Sequence, residues 1–450
     1  MTDLIDLSAL QARVETLLAA ARRAGADQAD AVALRGVSLS VEVRDGRVEE
    51  SERAEGDDIG LRVFVGRRQA AVSTNDVVRL DPDQLAERAV AMARATPEDP
   101  HARLADPARL ATTVADLDLL DPVLPDAAVL ERLARTAEQA GLGVAGVAKS
   151  NGASASAGLG GFVLATSGGF RGAYVSSQHS LSMTAIAGEG TAMEQDWEMS
   201  SARHARDLDA AADIGRKAGE RAVRRLNPRK VATTRVPVIF DPRVAGSLVG
   251  HIAAAVNGAA IARKTSFLLG KLGSEIMPRG TRIVDDPLRP RGPRSRPFDG
   301  EGVASAPLVL VDDGVLSSFL LDSATADELG LATTGHAKRG TGGPPSPAPT
   351  NLHLAAGPLS PRELIGDLAE GFYVTDLIGM GASIVTGDYS RGASGFWIEN
   401  GELTFPVSEV TIAGHLADIY RALTPANDLE FRYSTNAPTV RVEGLTIAGR

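Results

Sequence analysis

The 450-residue sequence predicts an α+β protein of two domains, 1–226 and 235–450, with antiparallel sheets, helices packed on one face and a strand-rich C-terminal domain. Three observations carry this expectation. The chain opens in the order helix, hairpin, hairpin, helix, which lays helices on an antiparallel sheet. Turn pairs such as Asp45-Gly46, Asp313-Gly314 and Asn400-Gly401 separate apolar runs, and such pairs suit tight turns because both residues tolerate positive φ. The length is two to three times that of an ordinary domain, and a hydrophobic content of 44% supplies a core.

Leu10, Val14, Leu17, Leu18 and Ala21 share one face of a first helix, and Gly25 is its stop. Leu39 to Val43 alternates, turns at Asp45-Gly46 and returns through Val48. Ile59 to Val65 and Gln69 to Val72 form a second hairpin around Gly66, and Pro82 to Thr96 reads as a helix. The proline-rich stretch 97–125 predicts a long surface connection. A helix over Ala127 to Ala140 is followed, from Val144 to Ser201, by Ser/Gly/Ala/Thr-rich strands broken at Asn151-Gly152 and Ser167-Gly168-Gly169, then by a charged helix from Leu208 to Leu226. The second half begins with a strand, Val236 to Phe240, and an apolar helix, Arg243 to Ala262. Strands follow at Pro307 to Val311, at Val315 to Leu321 and around Asn400-Gly401.

Composition excludes several classes of function. Lys+Arg 47 against Asp+Glu 57 gives a net charge of -10, so the chain has no overall pull on phosphate backbones. The acidic start from Met1 to Leu7 is unlike a signal peptide, and no apolar run is long enough for a bilayer; a cytoplasmic protein is expected. Cysteine is absent, which removes disulfides, thiol nucleophiles and thiolate metal sites.

Generic catalytic signatures fare poorly. Gly141 to Gly146 spells the dinucleotide fingerprint but follows a helix and enters a strand, the reverse of what that fingerprint needs. No two of the seven histidines lie within five residues of each other, so none form a one-turn metal pair. His251 stands alone on the apolar helix, with Ile252 where a general base would sit. Asp388, Ser390 and His415 are the ingredients of a triad without any sequence proximity to bind them. The run from Pro287 to Pro297 holds four arginines among prolines, which predicts an exposed, solvated loop, or else a contact for a peptide or partner.

The densest motif is Ile384-Val385-Thr386-Gly387-Asp388-Tyr389-Ser390-Arg391-Gly392-Ala393-Ser394-Gly395-Phe396-Trp397, continuing to Gly414. With Ser295 to Gly302, Gly314 to Thr325, Pro349 to Leu352, Asn436 to Thr439 and the N-terminal hairpins, it resembles the TldD/PmbA family, specifically the TldE (PmbA) branch. The resemblance implies a chain that pairs with a TldD-like subunit in a heterodimeric, cytoplasmic zinc metallopeptidase acting on unfolded peptides; an older family label is modulator of DNA gyrase. In TldD chains two histidines of a His-Glu-x-x-x-His helix and a cysteine hold the zinc. The corresponding helix here, Ser247 to Ala262, lacks the glutamate and the second histidine, and no cysteine exists. The expected subunit is therefore metal-free and without catalytic residues of its own, with zinc in the partner, a homodimer as its form when alone, and no direct nucleic-acid or membrane contact. Alternatives are a non-proteolytic regulator of gyrase or of an antitoxin, and a standalone hydrolase. Asp388, Arg391, Phe396 and Trp397 are the expected partner or substrate contacts; filling of the chain's own core is the competing reading of the two aromatics. The Ser/Gly-rich strands are expected to offer main-chain edges to a peptide.

Overall fold

A computed structural model describes residues 5–449; the expectation for the chain start falls partly on Met1 to Leu4, outside the described residues. The N-terminal half is one six-stranded antiparallel sheet with the spatial order β3-β2-β1-β4-β5-β6. Its strands are β1 (Gln28–Arg44), β2 (Arg47–Val65), β3 (Arg68–Thr74), β4 (Val147–Thr166), β5 (Arg171–Ala187) and β6 (Glu194–Ala202). The helices are α1 (Leu7–Arg23), α2 (Pro82–Ala95), α3 (Ala127–Leu142) and α4 (Ala211–Arg224). Asp6, Asp81 and Asp126 cap the first three through side-chain bonds to orphan N–H groups, each such cap contributing about 1 kcal/mol.

All four helices lie on one face. Ala29, Ala31 and Ala33 of β1 pack with α1 and α2, and Val41 and Val43 of the same strand pack with α3 and α4. These odd-numbered residues share a face because side chains alternate along a strand. Small side chains let the helices sit close: a Cβ at Gly215 of α4 would lie 1.8 Å from the Ala137 carbonyl oxygen.

Local departures from the expected elements have clear causes. The two predicted hairpins share one 19-residue strand, β2, because Asp45-Gly46 and Gly66-Arg67 are both two-residue turns at its ends. Asn151-Gly152 does not break a strand. It is a bulge inside β4, where register slips between Ser150 and Ala153 and Gly152 takes φ 106°. The predicted helix at Leu208 begins only at Ala211, after a short turn at Ala205–Asp207.

The C-terminal half is built around a second six-stranded sheet, ordered β16-β15-β14-β7-β19-β17, which closes on itself where β16 also pairs with β19. Its strands are β7 (Thr234–Phe240), β14 (Glu370–Ile378), β15 (Asp388–Glu399), β16 (Glu402–His415), β17 (Leu423–Pro425) and β19 (Val440–Ala448). All neighbours are antiparallel except β14 and β7. A smaller sheet joins β10 (Val315–Leu316), β9 (Leu308–Asp312), β8 (Ile283–Asp285), β13 (Leu352–Leu354) and β18 (Thr435–Asn436). The pair β11 (Ala337–Lys338) and β12 (Ser346–Pro347) stands apart, and the short helices α7 (Ser323–Glu328), α8 (Pro361–Gly366) and α9 (Leu416–Arg421) fill corners. The predicted strand beyond Leu316 is irregular chain. The predicted helix 243–262 is two: α5 (Pro242–Ala255) stops, and Asn257 caps α6 (Gly258–Ala262) by accepting the Ala259 N–H.

The halves are joined by polar and aromatic contacts. Asp30 of β1 accepts from Arg62 of β2 and, at 2.7 Å, from Arg339 of the C-terminal half. Phe298 inserts among Phe162, Phe170 and Tyr174, with ring centroids 6.1, 5.1 and 5.5 Å away. The arginine loop is thus not a solvated strap. Arg289 lies 3.5 Å over the Phe431 ring, Arg291 pairs with Asp118 and Asp207, and Arg296 donates to the Ala337 carbonyl; Arg294 is the exposed member. Among the described residues no helix is long and apolar enough to cross a membrane.

Candidate functional site

The residues singled out by the densest motif lie along β15, whose Tyr389 ring reaches His251 of α5. Asp241 and Pro242 start α5, with the Asp241 carboxylate accepting the Arg243 N–H. One side of the helix, including Leu248, Val249 and Ile252, is buried in the core of the C-terminal half. His251 is half-buried, its ring edge-to-face with Tyr389 at 6.2 Å between centroids. Its Nε2 and the Tyr389 hydroxyl are both buried without a hydrogen-bond partner. Burial, then the Arg391 cation, hold the His251 pKa below the usual imidazole value, so a neutral ring is favoured at neutral pH. Burial pushes the Tyr389 phenol up to about 12.

Along β15 the expected contacts separate into two kinds. Asp388 is exposed, and its carboxylate accepts the Thr386 hydroxyl at 2.6 Å. Arg391 donates to the carbonyls of Ile378 and Leu377, pinning the end of β14. Phe396 and Trp397 are 8% and 7% exposed; Arg224 stacks on the first, and the second leans on Phe372. Their burial favours the core-filling reading.

The triad ingredients do not assemble. In the ladder His415 stands opposite Asp388, while Ser390 stands opposite Ala413. The imidazole is engaged on both sides: Nε2 lies 2.9 Å from the Thr386 carbonyl oxygen, and Nδ1 accepts the Ala417 N–H as the cap of α9. With Nδ1 accepting, the ring carries its proton on Nε2 and has no free lone pair for Ser390. Gly141 to Gly146 ends α3 and turns into β4, so no phosphate cradle forms there.

Sequence reasoning passed over two features. Tyr389 lay inside the motif without a role; it sits between Asp388 and Ser390, both exposed, and no local signal in the sequence marks its phenol as buried. Asp299 and Glu301, both buried, entered only as part of the stretch Ser295 to Gly302 that carries the resemblance. The Asp299 carboxylate accepts three backbone N–H groups, from Glu301, Val303 and Ala337, and Glu301 accepts the Ser323 N–H.

Three family models match the chain: PmbA/TldA metallopeptidase domain 1 over residues 29–93, the central domain over 118–226 and the C-terminal domain over 233–449. The metalloprotease PmbA of Escherichia coli O157:H7 is 38% identical over 431 residues, spanning 94% of this chain and 93% of that protein. The chain belongs to the PmbA/TldD family. A PmbA homolog of Haemophilus influenzae is 36% identical over 95% of the chain and 94% of its own length. Among solved structures, a protein of Bacteroides thetaiotaomicron named as a candidate modulator of DNA gyrase superposes with TM-score 0.88 at 28% identity, covering 97% of this chain and 98% of that one. TldE of Thermococcus kodakarensis shares the fold, with TM-score 0.85 at 19% identity over 97% and 99% of the two chains.

Family membership raises zinc, and the donor set at α5 can be tested against it. Four-coordinate zinc needs three protein ligands or more, drawn from Cys, His and carboxylates. His251 has a phenol and a guanidinium for neighbours, and the cation opposes a second positive charge. Among the described residues no three His, Cys, Asp or Glu side chains gather to hold a metal. The residues at this corner of the PmbA/TldD fold do not fit a zinc ion.

Proposed function

We propose that this chain is the metal-free, TldE-type subunit of a heterodimeric TldD/TldE metallopeptidase that degrades or trims unfolded peptides. The observation that carries the reading is the α5–β15 corner: a single neutral histidine beside Tyr389 and Arg391, with neither base nor ligand set, on a chain whose relatives are named metalloproteases. Metal and water activation would then belong to the TldD-like partner, and this subunit would complete and cover the partner's chamber in the cytoplasm. The two halves, 1–226 and 235–450, would act as its structural units. Asp388 and Arg391 are the proposed partner or substrate contacts, with Phe396 and Trp397 holding β15 behind them.

The test is assembly. Co-expressed with a TldD-like chain, this protein should co-purify with it in equal amounts, and Asp388→Ala/Arg391→Ala should weaken pairing without unfolding either chain. Failure to pair with any TldD-like chain of its own genome would remove the reading.

A further inference from the structure

The six-stranded N-terminal sheet has two edges, and they are treated differently. At β6 the edge is closed by side chains. The Trp197 carbonyl accepts from Arg221 and Arg243, the Met199 carbonyl accepts from Arg432, and the Asp196 and Glu198 carboxylates take the N–H groups of Trp197 and Met199. The Ser/Gly-rich strands β4 and β5 lie inside the sheet, so the expectation that they present edges to a peptide does not hold. At the other side β3 pairs with β2 only over Ile59 to Val65, leaving residues 47–58 of β2 as the outer strand.

The direction of the free groups follows from the turns. Two-residue turns are closed by a hydrogen-bonded pair: Arg44 with Arg47 at one end of β2 and Val65 with Arg68 at the other. Even residues of β1 therefore bond to β2. The ladder pairs Ser40 with Glu52 and Ser38 with Ala54, so Ser51, Arg53, Glu55 and Asp57 turn their N–H and C=O groups outward. They span about 20 Å of extended backbone. Residues 47–56 are all exposed, and beside them the open face sinks into a depression of about 500 Å³ lined by Gly36, Ser38, Ala54, Gly56, Gly158 and Gly160.

Charge decides what fits. Residues 47–58 carry Glu49, Glu50, Glu52, Glu55, Asp57 and Asp58 against Arg47 and Arg53. Glu49 is paired to Arg44, Glu55 to Arg35 and Arg53, and Asp57 to Arg35, so Glu50 and Glu52 carry the selection. Among the described residues Glu50 and Glu52 make no ion pair, and Glu50 stands opposite Glu42 in the ladder. A second copy's β2 edge would place carboxylates against carboxylates, which disfavours self-pairing. We propose that the free edge of β2, from Ser51 to Asp57, binds an extended polypeptide segment rich in Lys and Arg by adding it to the sheet as a further strand. Main-chain bonds supply the docking and the carboxylates select the sign of the segment. The inference rests on no step of the peptidase reading, since binding to this chain alone is the readout.

The probe is a fluorescein-labelled dodecapeptide alternating Lys and Thr, titrated into the full-length chain and followed by anisotropy. Binding should weaken as salt rises, and the Glu-for-Lys peptide should not bind. Ser51→Pro/Glu55→Pro removes two outward N–H groups and leaves the β1 ladder intact, so it should weaken binding by about tenfold or more. A Lys/Thr peptide N-methylated at alternate amides asks the same question without altering the protein, and should lose binding by a similar factor. Absence of Lys/Thr binding overturns the proposal. So does equal binding by the N-methylated peptide, which would mean charge attraction without strand addition. Concentration-dependent dimerisation that the double proline variant abolishes would assign the edge to a second copy and overturn the proposed occupant.

Discussion

His251 and Tyr389 meet edge-to-face with ring centroids 6.2 Å apart, and neither Nε2 of the one nor the hydroxyl of the other has a hydrogen-bond partner. An unmet buried hydroxyl contributes nothing and costs its desolvation. Tyr389→Phe is therefore expected to leave stability unchanged or raise it. Tyr420→Phe is the contrast, because that hydroxyl donates to the Leu248 carbonyl at 2.8 Å and its loss should cost about 1 kcal/mol. Urea denaturation of the two variants checks both outcomes; a larger loss for Tyr389→Phe would mean that its hydroxyl is engaged after all.

Arg339 and Asp30 lock the two halves. Burial alone would raise the Asp30 pKa, but Arg339 and Arg62 outweigh it and hold the carboxyl below its usual value. Arg339→Met leaves a buried carboxylate short of one partner and should destabilise the chain by about 3 kcal/mol or more. The sign in pH follows: a depressed carboxylate contributes stability that is present above pH 3.8 and lost as pH falls through the lower folded value. Acid denaturation of Arg339→Met should begin at higher pH than in the parent; coincident acid transitions would contradict this.

Glu301 works in the opposite sense. Burial first, then the neighbouring Asp299 carboxylate, push its pKa up to about 8. Its protonated form is favoured by folding, so its contribution is complete below the ordinary value of 4.5 and fades as pH rises to about 8. Glu301→Gln cannot ionise and should flatten this part of the profile, gaining on the parent in melting temperature between pH 6 and pH 9. Parallel curves across that range would show that Glu301 does not titrate there.

Trp397 fills the core of the C-terminal half against Phe372. Trp397→Ala should cost about 3–5 kcal/mol in the isolated chain, seen as a lower denaturation midpoint. A variant as stable as the parent that fails to pair would restore Trp397 as a partner anchor.

How far these features were legible depends on their range in the chain. Local signals were readable: the face of Leu10, Val14 and Leu17 in α1, and the turns at Asp45-Gly46 and Asn400-Gly401, where both residues have positive φ. Non-local choices were not. Asn151-Gly152 looks like a turn, yet pairing with β5 carries the strand through it as a bulge. Asn257 ends an apolar run that periodicity alone would continue, because its side chain caps a new helix. The arginine loop reads as solvated until Asp118, Asp207 and Phe431, far away in sequence, supply its partners. At the site, the lone His251 was visible as an isolated histidine. Its phenol and guanidinium neighbours arrive from β15, about 140 residues later in the chain.

The central claim is that this chain supplies no metal chemistry and acts through a TldD-like partner. The measurement is digestion of an unfolded peptide by each purified chain and by the mixture, with zinc determined on the same samples. The account predicts no cleavage and no stoichiometric zinc for this chain alone, including no change in metal content for His251→Ala, and chelator-sensitive cleavage by the mixture. Cleavage by this chain alone that tracks one bound zinc and disappears in His251→Ala would contradict it.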